Sequence, residues 1–141
     1  MSYPAILAPL FVEVLLTFVL LVWLANVRVA AVKGGKVHPR DIVLGQPNWP
    51  AQETQIGNAY HNQFQLPVLF YVLTILALVT RHADLIFVVM AWIFVLLRLA
   101  HATIHVTTNR LISRFRVFAL GFGVLALMWL IFIVRILLAL P

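Results

Sequence analysis

The segment QETQIGNAYHNQFQLPVLFYVLTILALV, Gln52 to Val79, decides the fold, because its two halves obey different rules. The second half, Leu66 to Val79, is an apolar run broken only by small or hydroxyl-bearing side chains. At about 1.5 Å of rise per residue it covers about 21 Å of a hydrocarbon core about 30 Å thick, so alone it is too short to cross. The first half has neither a Gly/Pro cluster nor strand alternation, and it predicts a helix that continues into a polar N-terminal part. At about 100° per residue, Asn58, Asn62 and Gln65 share one helix face, with Gln55 and His61 on its edges. Pro67 predicts a freed carbonyl near Gln63 and a kink.

The following segment is its mirror image. Leu85 to Leu97 is apolar, and then Arg98, His101, His105 and Asn109 form a second polar stripe. Only Thr80 to Asp84 separate the two apolar runs, so the segments form an antiparallel hairpin and both polar halves lie at the same end. With the turn near His82, Gln65 is expected beside Arg98, and His61 or Asn62 beside His101. Lipid tolerates neither stripe, so the two should line a polar cavity inside the bundle.

Outside the hairpin, apolar blocks run from Ala5 to Ala25 and from Val117 to Leu140. The first reads as a retained span, because nothing basic precedes Arg28 and its apolar core is longer than a signal peptide requires. Over the 141 residues, 64% are hydrophobic and 10% charged, where soluble domains have roughly 45 to 50% and about 25%. The chain is therefore expected to be a single all-α domain, an integral membrane four-helix bundle with spans at approximately 4–28, 52–79, 83–108 and 112–139. A connection rich in turn formers (Gly34, Gly35, Pro39, Gly45, Pro47, Pro50) joins the first two spans, and a short one near Thr108 to Ser113 joins the last two. The absence of cysteine excludes disulfides, thiolate metal sites and a cysteine nucleophile.

The net charge of +6 reads first as topology. Arg28, Lys33, Lys36 and Arg40 belong to the first connection and Arg110, Arg114 and Arg116 to the third, whereas Arg81 and Arg135 lie near the opposite side. The first and third connections should face the cytoplasm and both termini the other side. Nucleic acid is not an expected partner, since no soluble basic domain exists to carry it. Within the spans, only Glu13, with Glu53 at the start of the second, could neutralise Arg98 and its neighbours, so the cavity should be cationic and take an anionic ligand. His101 and His105 also have the i, i+4 spacing of two metal ligands, but the sequence is short of third and fourth ligands and Arg98 would repel a cation. Trp49, beside Pro50, reads as an interfacial anchor, and Trp23, Trp92 and Trp129 as packing.

NQFQLPVLFY from Asn62 to Tyr71, RLAHATIHVTTNRLISR from Arg98 to Arg114, and the four spans with a long first connection together resemble the membrane-associated proteins in eicosanoid and glutathione metabolism, the MAPEG family, in its bacterial type. The resemblance covers nearly the whole chain. It implies a homotrimer in membrane lipid that binds glutathione as co-substrate between neighbouring subunits and conjugates or reduces a lipophilic small molecule. The family's basic residue ending span one is matched by Arg28, and its span-two Asn and Pro by Asn62 and Pro67, with Gln65 at a Glu position and Asn58 at an Arg position. In span three Arg98, His101 and Arg114 match without a gap, while His105 and Phe118 stand at Tyr positions. The resemblance implies Arg114 as the catalytic residue that stabilises the thiolate. It implies Arg28, Asn62, Gln65, Arg98, His101 and His105 as glutathione ligands. The alternative is a non-catalytic protein of the same fold that binds a lipid or another anion.

Overall fold

The computed structural model describes residues 1–139 and is all-α. Helix α1 spans Tyr3–Lys33, α2 Ala51–His61, α3 Leu66–Val79, α4 Leu85–Val106 and α5 Leu111–Leu137. Leu140, the end of the fourth apolar block, lies outside the described residues. Taking α2 and α3 together as Ala51–Val79, four helical segments are long and apolar enough to cross a bilayer, so this is a multi-pass integral membrane protein. Helix α1 runs past Arg28 to Lys33 and stops at Gly34. In the first connection, Pro39–Asp41 form a single 3-10 turn.

The second crossing is helical on both sides of a sharp break. Asn62–Phe64 tighten into a 3-10 turn, and Gln65 leaves the helical region altogether at φ −101°, ψ −107°. Pro67 occupies the first turn of α3, where its missing N–H costs no hydrogen bond. The interruption exceeds the kink expected from a mid-helix proline, because the helix stops and restarts instead of bending.

The apolar core sits at the end opposite the long connection. Phe70, Leu73 and Ala77 of α3 meet Val88, Ala91, Phe94 and Val95 of α4, with Ile6 from α1 and Leu125 and Met128 from α5. The outward faces carry Phe11, Leu15, Phe18 and Val22 on α1 and Leu120, Phe122, Leu127 and Leu130 on α5. This reverses the pattern of a water-soluble bundle, as a hydrocarbon solvent requires.

At that same end, Asp84 joins two helices. Its carboxylate accepts the Phe87 N–H at 2.9 Å, capping α4, and pairs with Arg135 near the end of α5 at 2.8 Å. Burial works to raise its pKa, but the Phe87 N–H and Arg135 outweigh burial and hold the carboxyl below its ordinary value. A depressed carboxyl contributes stability that is complete above the unfolded-state pKa, about 3.9, and is lost as pH falls through the lower folded value. Thermal unfolding of detergent-solubilised protein should therefore show an Asp84-dependent loss only below about pH 4. Asp84→Asn should abolish that acid-dependent increment. Asp84→Ala should in addition cost about 1 kcal/mol at neutral pH through the lost cap. An acid limb identical in wild type and Asp84→Asn would contradict this assignment.

Candidate functional site

The polar halves of the second and third crossings meet at the end that carries the first and third connections, with one change of register. Arg98 lies beside Asn62, one turn from the Gln65 contact that the sequence suggests. Its Nη2 donates to the Asn62 side-chain oxygen at 2.7 Å and to the Asn62 carbonyl at 3.3 Å. Gln65 enters through Asn62, whose amide nitrogen donates to Gln65 Oε1 at 2.8 Å. The shift coincides with the break at Gln65, where the chain leaves helical geometry.

Behind Arg98 stands Glu13 of α1. Arg98 is 1% and Glu13 0% exposed, and Arg98 Nε lies 3.6 Å from Glu13 Oε1. Of the two carboxylates available to neutralise the cavity, Glu13 is the one that does so. Glu53 is buried at the start of α2 and makes no ion pair among the described residues.

In front of Asn62 a cleft of about 220 Å³ opens, lined by Asn62, Gln65, His101, His105, Leu111, Arg114, Phe115 and Phe118. The structure thus gathers Asn62, Gln65, His101, His105 and Arg114 around one space. His101 and His105 stack edge to face with ring centroids 5.6 Å apart, and each has a buried Nδ1 with no hydrogen-bond partner. Phe118 lies against His101 at 5.7 Å. Arg114 is the one charged residue of the lining. No cluster of three metal-ligating side chains occurs among the described residues.

Two implied ligands lie elsewhere in the single chain. Arg98 does not line the cleft but supports it from behind Asn62. Arg28 lines a separate groove with Val29, Val32, Lys33 and Trp49, its guanidinium 4.6 Å from the Trp49 ring centroid. Gly57 lies against this guanidinium, where a Cβ would stand 3.3 Å from Arg28 Nη2 and require a small adjustment. Trp49 is half-buried and covers Arg28 by a cation–π contact, a more specific role than that of an interfacial anchor.

Other contributions could not be read as roles from the stripe pattern. Asn109, at the turn after α4, adopts a left-handed conformation with φ +48° and accepts a hydrogen bond from Arg114 Nη1. Asn tolerates this region better than most residues. The catalytic candidate is thereby anchored to the third connection. Gln55 closes the end of α4, donating to the carbonyls of His105 at 2.7 Å and Thr107 at 3.1 Å. Its place on the edge of the α2 stripe was the available signal. Leu111, Phe115 and Phe118 form the apolar side of the cleft, which polar-residue spacing could not reveal.

Neither a curated protein nor a solved structure matches this sequence. The MAPEG family model matches residues 6–134, from the first turn of α1 almost to the end of α5. With that match over nearly all of the 141 residues, and with a four-span membrane fold to accompany it, the chain belongs to the MAPEG family.

Proposed function

We propose that this protein is a membrane-bound, glutathione-dependent transferase or peroxidase-like protein acting on lipophilic electrophiles, with Arg114 stabilising the glutathione thiolate. The observation that carries the proposal is the composition of one cleft, in which, among the described residues, a single guanidinium and two side-chain amides face an apolar wall and no carboxylate is present. Glutathione brings carboxylates and a thiol, and this donor set matches both. A thiol is nucleophilic as its thiolate, and a nearby guanidinium in a partly desolvated site lowers the thiol pKa. Asn109 holds Arg114 in place, so its charge is preorganised. In conjugation the sulfur lone pair forms the S–C bond while the leaving group departs with its electrons. No covalent bond to the protein is required.

The apolar wall suits the second substrate. Leu111 and Phe115 are largely exposed on the outer surface of α5, so a lipophilic molecule can reach the cleft sideways from the bilayer. Self-assembly as a homotrimer belongs to the same reading. Asn26 on α1 and Asn58 and His61 on α2 are exposed on the outside of a single chain, where polar groups facing lipid would be costly. A neighbouring copy covers such groups, and it offers a way for Arg28 to reach a glutathione carboxylate with its planar fork. We also propose that the first and third connections face the cytoplasm. The seven Lys and Arg residues of those two connections, against Arg81 and Arg135 at the opposite end, support this.

Sidedness is checked by cysteines placed at exposed positions of this cysteine-free chain. Lys36→Cys should react with an impermeant maleimide only from the cytoplasmic side and Arg81→Cys only from the other. The reverse pattern would overturn the orientation. The chemistry is checked at Arg114. Arg114→Ala should lower both the ultraviolet thiolate absorption of bound glutathione and conjugation of a simple aromatic electrophile, the latter by about 10²- to 10³-fold. Arg114→Lys should recover part of the rate, since an ammonium lacks the guanidinium fork. An undiminished thiolate band in Arg114→Ala would contradict the assignment.

A further inference from the structure

The cleft wall is continuous with a chain of polar groups that starts at the buried Glu13 and Arg98, passes through the half-buried Asn62 and ends at the exposed Gln65. Glu13 faces Arg98 Nε at 3.6 Å, Arg98 Nη2 donates to Asn62 Oδ1 at 2.7 Å, and Asn62 Nδ2 donates to Gln65 Oε1 at 2.8 Å. Each link fixes the direction of the next. Guanidinium has donors and no acceptor, so the Asn62 amide must turn its oxygen to Arg98. Its nitrogen is then left for Gln65, which must answer with its own oxygen. The Gln65 amide nitrogen remains for the cleft, and it makes no hydrogen bond to any described residue. We infer that Glu13 is a positioning residue for the ligand site: by holding Arg98 it sets the polarity of the Glu13–Arg98–Asn62–Gln65 relay and makes the cleft wall at Gln65 a hydrogen-bond donor, selective for an acceptor group such as a carboxylate or thiolate.

The physical reason for assigning this role to Glu13 is the cost of charge inside a bilayer. Arg98 is buried, and among the described residues Glu13 is the carboxylate that pairs with it. Without that partner the guanidinium would seek the water of the cleft, its nearest polar space, and would release Asn62. The orientation of two amides would then no longer be determined. Glu13 touches no ligand in this account, since it stands behind Arg98 and not in the cleft lining. The preference for glutathione carboxylates or thiolate rests on the function proposed above, but the direction of the relay does not.

The test therefore begins with ligand-free protein, using the side-chain amide resonances of Asn62 and Gln65 in ¹⁵N-labelled trimer or detergent-solubilised chain. Glu13→Gln should shift both amides and speed their hydrogen exchange by at least about tenfold, and Glu13→Asp should restore most of the wild-type pattern. Asn62→Asp provides an independent arm that leaves the Glu13 pair intact. Its carboxylate still accepts from Arg98 but cannot donate, so Gln65 must turn its nitrogen inward, and the Gln65 NH₂ should become more protected than in wild type. Glutathione affinity should fall about tenfold in both Glu13→Gln and Asn62→Asp. A Gln65 amide unmoved by Glu13→Gln and Asn62→Asp would overturn the relay whether or not glutathione binds. A wild-type protein that shows the relay but binds no glutathione would overturn the proposed function alone.

Discussion

An arginine buried in a bilayer must be neutralised, and the arrangement of the helices follows from where that neutralisation occurs. Arg98 is nearly inaccessible and is met from one side by Glu13 of α1 and from the other by Asn62, at the end of α2. Three segments are joined at this point by groups that lipid would reject if they separated. Breaking a buried pair by removing one partner typically costs about 3 to 5 kcal/mol, so each of these side chains constrains the others. The apolar core at the other end supplies packing. The charged node specifies how the helices are rotated, because a one-residue rotation of α4 would carry Arg98 out of its fully buried position and away from Glu13 and Asn62.

That node also divides the protein by function. On one side of it lies continuous apolar packing from Phe70 to Phe94 and Met128, closed by the Asp84–Arg135 pair. On the other lies a cleft whose wall is built from amides, imidazoles and one guanidinium, bordered by Leu111, Phe115 and Phe118. A site at such a boundary can hold a charged peptide and admit an apolar molecule from the membrane. Membership of the MAPEG family places the protein among membrane proteins of glutathione and eicosanoid metabolism. In the proposed reading, the cleft is where this chain would carry out that chemistry.

Much of this was legible in the sequence because membranes enforce simple rules. The shortage of apolar residues between Gln52 and Gln65 announced a polar half-crossing, and the short turn at Thr80 to Asp84 required a second one beside it. The scarcity of carboxylates left Glu13 and Glu53 as the possible partners, and the structure sets Glu13 against Arg98. Register was harder. A proline signals that a helix is interrupted but not how, and beside the full break at Gln65 the partner of Arg98 is Asn62, a turn away from the one expected. Arg28 illustrates another limit. Its cover is a loop residue, Trp49, and it lies close against Gly57, and neither contact has a periodic signature. Asn109 holding Arg114 likewise depends on one left-handed residue in a turn.

The central claim is that the cleft ionises the thiol of a peptide that it binds. Calorimetric titration of the solubilised protein with glutathione near pH 7, repeated in buffers of different ionisation enthalpy, tests it most directly. A free thiol has a pKa of about 8.5, so a site that binds the thiolate must release close to one proton per peptide bound. The account predicts such a release for glutathione, and binding of its S-alkyl analogue with none. Absence of glutathione binding, or binding of both ligands with the same buffer-independent enthalpy, would contradict it.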